Sequence, residues 1–341
     1  MASPKHILVI RFSAMGDVAM TVPVIKNALE QNPSLQITVV SNSFFKPLFT
    51  SLERCHFHPA DLKGKHKGAA GIFKLYRELK ADDKFDAVAD FHNVLRSKLL
   101  RSFFKLSSHK VAVIDKGRKE KKALTRKDKK ILQPLVSSFE RYADVLRKLA
   151  VKLELNKAEP VLKRQHLPAL LNDIFSTGKK IIGVAPFAQH TEKMYPLEKM
   201  KNIVQQLTAQ HTVLLFGGKG REAEILQQWE QEIPSVINTS GRFSFAEELG
   251  IISNIHLMIS MDSANMHLAS LYKVPVVSIW GATHPYAGFY GWAQNDNNIV
   301  SVALSCRPCS VFGNKPCWRG DHACMHMITG EMVLEKINRL L

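Results

Sequence analysis

The stretch ISMDSANMHLASLYKVPVVSIWGATHP, residues 259–285, decides the fold class of this chain. Two apolar runs flank a polar turn and a short helical segment, a pattern that predicts a strand, a turn, a helix and a second strand. In an open parallel sheet such a turn lies at the carboxyl end of a strand, where these folds bind ligands. Asp262 and Ser263 begin the helical segment, whose free N–H groups could hold an anion, and His267 lies one turn later on the same face. The alternative is that these residues only cap a helix.

The same alternation of strands and helices runs along the whole chain. Strands are predicted in the first half at residues 6–12, 36–41, 55–58, 85–92 and 111–115, and in the second half at 180–187, 211–218, 235–238, 255–260 and 274–281. Residues 155–179 lack a clear period and contain two prolines, so we place the interdomain linker there. The prediction is an α/β protein with two doubly wound parallel-sheet domains, residues 1–165 and 166–341.

Composition and charge narrow the functional class. The apolar fraction of 45% and the charged fraction of 23% are ordinary for a globular protein. No run reaches the about 18 apolar residues that span a bilayer, and no signal-peptide pattern is visible, so we expect a cytoplasmic protein. Residues 1–165 hold 33 Lys+Arg against 16 Asp+Glu, whereas residues 166–341 hold 14 of each. The first half is therefore expected to meet an anionic partner or a membrane surface.

Two basic runs, residues 63–68 and 116–130, stand out within the first half. The second run contains nine basic residues against two acidic ones. Such a run is either a solvated, mobile loop or a clamp for an anionic lipid. Nucleic acid is the rival partner, but interleaved aromatic residues are missing and no nucleic-acid module is recognisable, so we expect none.

Three further turns follow predicted strands and carry polar candidates. In RFSAMGD, residues 11–17, Gly16 can adopt a left-handed turn and Asp17 lies at a helix start. The loop 185–196 carries Lys193, and the glycine-rich turn 217–222 ends on Glu222, whose carboxylate could hold ribose hydroxyls. The alternatives are an ordinary N-cap, a solvated surface lysine and a tight turn before a helix. The turn at residues 11–17 contains no G-x-G-x-x-G pattern, so we do not expect a dinucleotide site in that turn.

Four cysteines near the end of the chain have suggestive spacing. Cys306, Cys309, Cys317 and Cys324 form C-x2-C-x7-C-x6-C with two histidines nearby. In a cytoplasmic chain this pattern favours metal ligation over disulfides, and a structural zinc is one interpretation. Reduced or partly oxidised thiols that brace a loop are the other.

The segment DSANMH, residues 262–267, resembles the D-S-G-x-x-H-x-A signature of glycosyltransferase family 9, the lipopolysaccharide heptosyltransferases. SAMGDV, residues 13–18, resembles the opening motif of that family, and KMYP, residues 193–196, resembles its K-x-W-P loop. Ala264 replaces the usual Gly, and Tyr195 replaces the usual Trp. The resemblance covers essentially the whole chain. It implies the GT-B architecture, in which two Rossmann-like domains face a cleft and the last helix, about 331–341, can pack back on the first domain.

The resemblance also implies a role for each matching residue. Asp17 corresponds to the general base that takes the proton from the acceptor hydroxyl. Lys193 corresponds to the lysine that neutralises the donor pyrophosphate, and Glu222 matches the ribose-binding glutamate best, with Glu224 as the fallback. The implied donor-binding set is Gln189, Lys193, Glu222, Asp262, Ser263, Ala264 and His267. The implied acceptor-binding set is Ser13, Arg11, Lys119, Lys121 and Lys122.

The implied function is an inverting glycosyltransferase that needs no metal for catalysis. It would move heptose, or a related sugar, from a nucleotide-diphosphate sugar such as ADP-heptose to the inner core or lipid A of lipopolysaccharide. This reaction would bring the protein into peripheral contact with the inner face of the inner membrane. Two alternatives stay open: a family 9 transferase with another donor sugar, and a non-catalytic protein that binds nucleic acid or an anionic surface and uses the cysteines as a zinc module. The acceptor hydroxyl and the oligomeric state also stay open.

Overall fold

A computed structural model describes residues 4–82 and 84–341. The chain divides into two compact units. Unit 1 consists of Met1–Lys116 and Val136–Val161, and unit 2 consists of Gly117–Leu135 and Leu162–Leu341. The chain therefore passes from one unit to the other three times.

Unit 1 is built on a parallel sheet whose described strands have the order β3-β2-β1-β4-β5. The residues from Ile7 to Ile10 in the central strand are fully buried, as a parallel strand covered on both faces requires. The strands are β1 (His6–Ile10), β2 (Gln36–Ser41), β3 (Cys55–Pro59), β4 (Ala87–Asp90) and β5 (Lys110–Val113). The helices are α1 (Met15–Ala19), α2 (Thr21–Gln31), α3 (Gly68–Asp82), α4 (Leu95–Leu106) and, after α5 (Arg118–Leu124) of unit 2, α6 (Ser138–Lys148).

Unit 2 is built on a second parallel sheet, whose described strands have the order β11-β10-β9-β6-β7-β8. Its strands are β6 (Ile181–Ala185), β7 (Thr212–Leu215), β8 (Val236–Asn238), β9 (Leu257–Met261), β10 (Val276–Ile279) and β11 (Ile299–Val300). Besides α5, its helices are α7 (Asn172–Phe175), α8 (Leu197–Leu207), α9 (Arg221–Glu232), α10 (Phe245–Asn254), α11 (Ala264–Leu271), α12 (Ala323–His326) and α13 (Gly330–Asn338). The apolar residues of α8 recur at helical spacing, so one face of this helix is buried in the core.

The predicted α/β class is confirmed, because both sheets are parallel and their strands alternate with helices. The sequence missed β11, which is too short to show a period, and it missed α5 and α12, which lie in segments interpreted as loops. Gly16 was expected in a left-handed turn but lies inside α1. The short α1 therefore begins before Asp17 and not at it.

The basic segment Gly117–Leu135, which we call the strap, belongs to unit 2, whereas the sequence placed it in the first domain. Its helix α5 buries Leu124 completely. The Nζ atom of Lys121 lies 4.2 Å from the centroid of the Phe289 ring, a cation–π contact. The N–H group of Leu135 donates a hydrogen bond to the carbonyl oxygen of Tyr286, 2.9 Å away. The expectation of a solvated, mobile loop therefore does not hold for α5.

Assigning the strap to unit 2 changes the distribution of charge. Unit 1 carries 23 Lys+Arg and 14 Asp+Glu, and unit 2 carries 24 and 16. The excess of positive charge is thus shared between the units and is not confined to the first. No helix among residues 4–82 and 84–341 has both the length and the apolar character needed to cross a bilayer.

The last helix, α13, packs within unit 2. Val333 and Ile337 are fully buried in the same apolar cluster as Ile203 of α8. The sequence allowed this helix to pack back on the first domain, but its described apolar contacts lie in the core of the second unit. The reason is local, since the face that carries these two residues is covered by α8 and the neighbouring strands.

Candidate functional site

The carboxyl edge of the unit 2 sheet brings together two of the residues singled out in the sequence. Lys193 lies in the loop after β6, and Asp262 follows β9, which pairs with β6 in the sheet. The Lys193 ammonium and the Asp262 carboxylate are 3.0 Å apart, and their side chains are 14% and 7% exposed. A lysine held this way at a mostly buried strand end is not a solvated surface residue. It can present a fixed positive charge to an anionic ligand.

The helix α11 begins directly beside this ion pair. Ser263 is its N-cap residue and has an extended backbone, but its side chain makes no capping hydrogen bond to the helix. The Ser263 hydroxyl instead lies 3.0 Å from the Ser260 hydroxyl. Ala264 is the first helical residue, and His267, one turn later, is buried. Because Ser263 does not cap the first turn, the amides of that turn can receive an anion from outside the helix.

The glycine-rich turn after β7 is closed by its own glutamate. The N–H group of Gly218 donates a hydrogen bond of 2.6 Å to Oε2 of Glu222, in the first turn of α9. Gly220 adopts a positive φ of 70°, which only glycine adopts without strain. Glu224 lies in the same first turn. Gln189, in the loop after β6, is exposed. These placements keep Glu222 at the sheet edge, where we expected it.

In unit 1, Asp17 is paired with Arg11. The Arg11 guanidinium forms an ion pair with the Asp17 carboxylate and donates a second hydrogen bond, of 2.9 Å, to the carbonyl oxygen of Phe91. Arg11 is only 6% exposed, whereas the Asp17 side chain is 36% exposed. Arg11 was expected to bind the acceptor. Its burial favours a different use, in which it orients the carboxylate of Asp17, while Ser13 is exposed.

The sequence analysis missed a second group beside Asp17. The N–H group of Phe12 donates to Nδ1 of His92, 3.3 Å away, in the loop after β4. Burial lowers the pKa of His92 to about 3, with further lowering by the charges of Arg11 and Lys116 and a weaker opposing effect of Asp17. His92 is therefore a neutral imidazole. The available signal was its position as the last residue of the predicted strand 85–92, which pairs with β1 in the structure.

A buried carboxylate holds the loop that carries His92. Asp90 is fully buried at the end of β4 and accepts hydrogen bonds from the N–H groups of His92 (2.9 Å) and Asn93 (2.8 Å). It also accepts from the Ser97 hydroxyl (3.1 Å) and from Arg101 (2.7 Å). A buried charge with this many donors fixes the loop backbone.

The three lysines of the strap differ in environment. Lys119 and Lys122 are exposed on α5, but Lys121 is 9% exposed, with its ammonium group over Phe289. Only the first two can present their charge to a ligand at the surface. The expected role of Lys121 in binding the acceptor stays a prediction that its burial disfavours.

A structural zinc was one of the two uses that the sequence suggested for the four late cysteines. All four are free thiols, and within residues 4–82 and 84–341 no group of three or more His, Cys, Asp or Glu side chains is arranged to hold a metal ion. Burial raises the pKa of the Cys324 thiol to about 11 and also raises the pKa of Cys309. The structural zinc that the spacing suggested therefore stays a prediction.

Comparisons with known proteins agree on one family. The sequence matches the family described as glycosyltransferase family 9 (heptosyltransferase) over residues 72–316. The chain is 30% identical over 173 residues to lipooligosaccharide heptosyltransferase 2 of Campylobacter jejuni. That alignment covers 49% of this chain and 53% of the relative, so the chain spans about half the length of that curated protein.

Solved structures show the same fold. The glycosyl transferase family 9 structure from Veillonella parvula has a TM-score of 0.75 at 19% identity, covering 98% of this chain and 97% of that one. The Escherichia coli heptosyltransferase WaaC with ADP has a TM-score of 0.68 at 16% identity, covering 98% and 100%. At these identities the likeness is one of fold, and it is consistent with two Rossmann-like units of the GT-B type.

The depressed pKa of His92 makes stability depend on pH. Unfolding restores an ordinary pKa near 6.5, so the unfolded chain binds a proton as the pH falls below that value while the folded chain does not. Lowering the pH from 8 to 5 should therefore cost about 2 kcal/mol through this residue alone. The test is a His92→Gln variant, which keeps an acceptor for the N–H group of Phe12. Between pH 8 and pH 5, we expect this variant to lose about 2 kcal/mol less of its free energy of unfolding than the wild type does, as measured by urea unfolding. Equal losses in both proteins would contradict the assignment of His92 as buried and neutral.

Proposed function

Because the chain belongs to glycosyltransferase family 9, we propose that it is an inverting glycosyltransferase that transfers heptose from ADP-heptose to the lipopolysaccharide core. The observation that carries this proposal is the Lys193–Asp262 ion pair beside the uncapped start of α11. The names of similar proteins support the donor and acceptor classes. The relative from Campylobacter jejuni is a lipooligosaccharide heptosyltransferase, and the structure of the Escherichia coli heptosyltransferase WaaC was solved with ADP. The exact sugar and the acceptor hydroxyl are part of the proposal.

The donor half of the reaction is assigned to unit 2. When the bond between the anomeric carbon and the diphosphate breaks, negative charge grows on the leaving oxygen. Lys193 and the first-turn amides of α11 would stabilise that charge, with Asp262 holding the ammonium group in place. Glu222, at the start of α9, would accept hydrogen bonds from the ribose hydroxyls. This set neutralises a diphosphate with protein groups, so we propose that transfer needs no divalent cation.

The acceptor half is assigned to Asp17 in unit 1. Its carboxylate would take the proton from the acceptor hydroxyl as that oxygen attacks the anomeric carbon from the face opposite the diphosphate. A single displacement of this kind inverts the anomeric configuration. Arg11 holds Asp17 in one orientation, and the neutral His92 adds no competing charge beside it. The Asp17 side chain, 36% exposed, remains accessible to a substrate.

The strap is proposed to receive the phosphorylated lipid acceptor at the membrane surface. Lys119 and Lys122 are exposed on α5, and basic residues continue beyond it. Ile131 and Leu132, further along the strap, are 48% and 53% exposed. Exposed cations beside exposed apolar side chains suit the surface of an anionic bilayer, where each basic residue contributes about 1 kcal/mol.

Nucleotide binding tests the donor assignment. We expect calorimetric titration in the presence of EDTA to show ADP binding that is stronger than binding of UDP or GDP. Lys193→Ala should weaken ADP binding about tenfold to a hundredfold, because one charge-assisted contact to the diphosphate is lost. Lys179→Ala, an exposed lysine just before the amino end of β6, is the matched control and should bind as the wild type does. No binding of any nucleotide would refute the assignment, and preference for another base would change the donor.

Asp17→Asn tests the base. The variant keeps the shape of the side chain but cannot accept the proton, so transfer should fall by about a hundredfold or more. ADP binding should be unchanged, because Asp17 belongs to the other unit. The measurement is transfer from ADP-heptose to a heptose-free lipopolysaccharide acceptor. Near-normal transfer by the variant would remove Asp17 from the mechanism.

Charge reversal on the strap tests the acceptor surface. We expect Lys119→Glu combined with Lys122→Glu to raise the KM for the phosphorylated acceptor about tenfold and to leave ADP binding unchanged. The matched control is the double reversal of Lys179 and Lys180, which changes the net charge equally in the same unit. If both double variants raised the KM for the acceptor equally, the effect would come from net charge and the strap would not be the acceptor surface.

A further inference from the structure

The loop that carries the C-x2-C pair is fastened to the carboxyl edge of the unit 2 sheet. The guanidinium of Arg307 is buried and donates hydrogen bonds to the carbonyl oxygens of Gly281 (2.6 Å) and Trp280 (2.9 Å), just after β10. The N–H groups of Cys309 (3.0 Å) and Ser310 (3.2 Å) donate to the next carbonyl along, that of Ala282. The loop is therefore fixed along its length by the chain that leaves β10.

The same stretch after β10 also touches the loop of the donor lysine. The N–H group of Ala282 donates a hydrogen bond of 3.4 Å to the carbonyl oxygen of Glu192, the residue before Lys193. Ala282 thus links the cysteine-bearing loop on one side with the lysine loop on the other. Three chain segments at the sheet edge form one hydrogen-bonded unit.

Gly313 is the point at which the cysteine-bearing loop meets Lys193. Its N–H group is held by the fully buried Ser310 hydroxyl at 2.9 Å, and its φ of 76° is in the left-handed region. A Cβ atom at this position would lie 2.5 Å from Cδ of Lys193 and closer still to Cγ. The glycine leaves just enough room for the alkyl chain of the lysine, whose far end is fixed by Asp262.

We propose that Gly313 is a positioning residue for donor binding: the loop from Arg307 to Gly313 forms a wall that keeps the Lys193 side chain extended toward Asp262 and the start of α11. The side chain is thereby held from both ends, with its ammonium group on a carboxylate and its alkyl chain against a rigid backbone. This inference rests on the proposed role of Lys193.

The wall matters because a free lysine side chain has many rotamers. Holding it in one conformation before the donor arrives removes the cost of ordering it during binding, so the affinity for the diphosphate rises. Adding a methyl group at Gly313 would push the alkyl chain away from the wall and move the ammonium group off the diphosphate position. The effect should appear in donor affinity and, because Lys193 is proposed to stabilise the charge that grows on the leaving oxygen, also in kcat.

The test is Gly313→Ala, with Gly320→Ala as its matched control. Both glycines have a positive φ, 76° and 77°, so alanine introduces similar backbone strain at each. A Cβ at Gly320 meets no atom within 4 Å, whereas one at Gly313 meets Lys193. We expect Gly313→Ala to weaken ADP binding about tenfold and to lower kcat/KM for the donor at least tenfold. Gly320→Ala should leave both constants unchanged.

A double-mutant cycle with Lys193→Ala identifies the route of the effect. If Gly313 acts through Lys193, Gly313→Ala should weaken ADP binding about tenfold in the wild type but not in the Lys193→Ala background. Equal effects in both backgrounds, or no effect in the wild type, would overturn the inference. If Lys193→Ala alone leaves ADP binding unchanged, the proposed donor site itself is refuted, so the two failures are distinguishable.

Should Gly313→Ala not fold, Ser310→Ala is the second variant. It releases the loop without adding a methyl group and should weaken ADP binding in the wild type but not in the Lys193→Ala background.

Discussion

The parallel pairing of β6 with β9 is the constraint on which the candidate donor site depends. It sets Ala185 opposite Ser260, so the loops that follow the two strands leave the sheet at the same level. The ion pair of Lys193 and Asp262 joins residues far apart in sequence, and it can form only because this register is maintained. The strand residues are almost entirely buried apolar side chains, which specify the register strongly. The core of the sheet and the chemistry at its edge are therefore determined by the same contacts.

In unit 1, buried charged residues position the loop after β4 and the Asp17 carboxylate. Asp90 organises the loop after β4 through main-chain and side-chain donors, and Arg11 reaches across from β1 to the carbonyl oxygen of Phe91. The same guanidinium orients Asp17. A carboxylate in the first turn of a short helix would otherwise sample several rotamers in water. The buried guanidinium of Arg11 holds the Asp17 carboxylate in one orientation. Burying the arginine costs desolvation free energy.

Much of the fold could be predicted, because β-branched runs separated by helical periods are a local property of the sequence. The positions of Asp17, Lys193, Glu222 and Asp262 followed from their place after strands, since all strand ends of a parallel sheet meet at one edge. The side-chain roles that the sequence could not reveal depend on contacts with residues elsewhere in the chain. Arg11 looks like an anion ligand until Phe91 and Asp17 are seen around it.

The basic run illustrates the same limit. Its composition indicates hydration, and nothing local shows that Leu124 will be buried or that Lys121 will lie over the ring of Phe289. The cysteine-bearing segment shows the same limit. A motif that suits metal ligation lies in a loop whose order comes from the buried Arg307 and from hydrogen bonds to Ala282. In both cases the missing information was a contact between segments far apart in the chain.

The strap has a consequence for how the two units can be separated. Part of unit 2 is encoded within the sequence of unit 1, so a fragment that starts after the linker lacks α5 and loses the contact of Lys121 with the ring of Phe289. A chimera joined at a single junction would combine the strap of one parent with the second unit of the other. During synthesis, the strap is made before the rest of unit 2, so it can pack only after residues 162–341 have been made and folded. The halves of this protein are thus not interchangeable modules, and recombination between relatives would have to carry the strap and its receiving surface together.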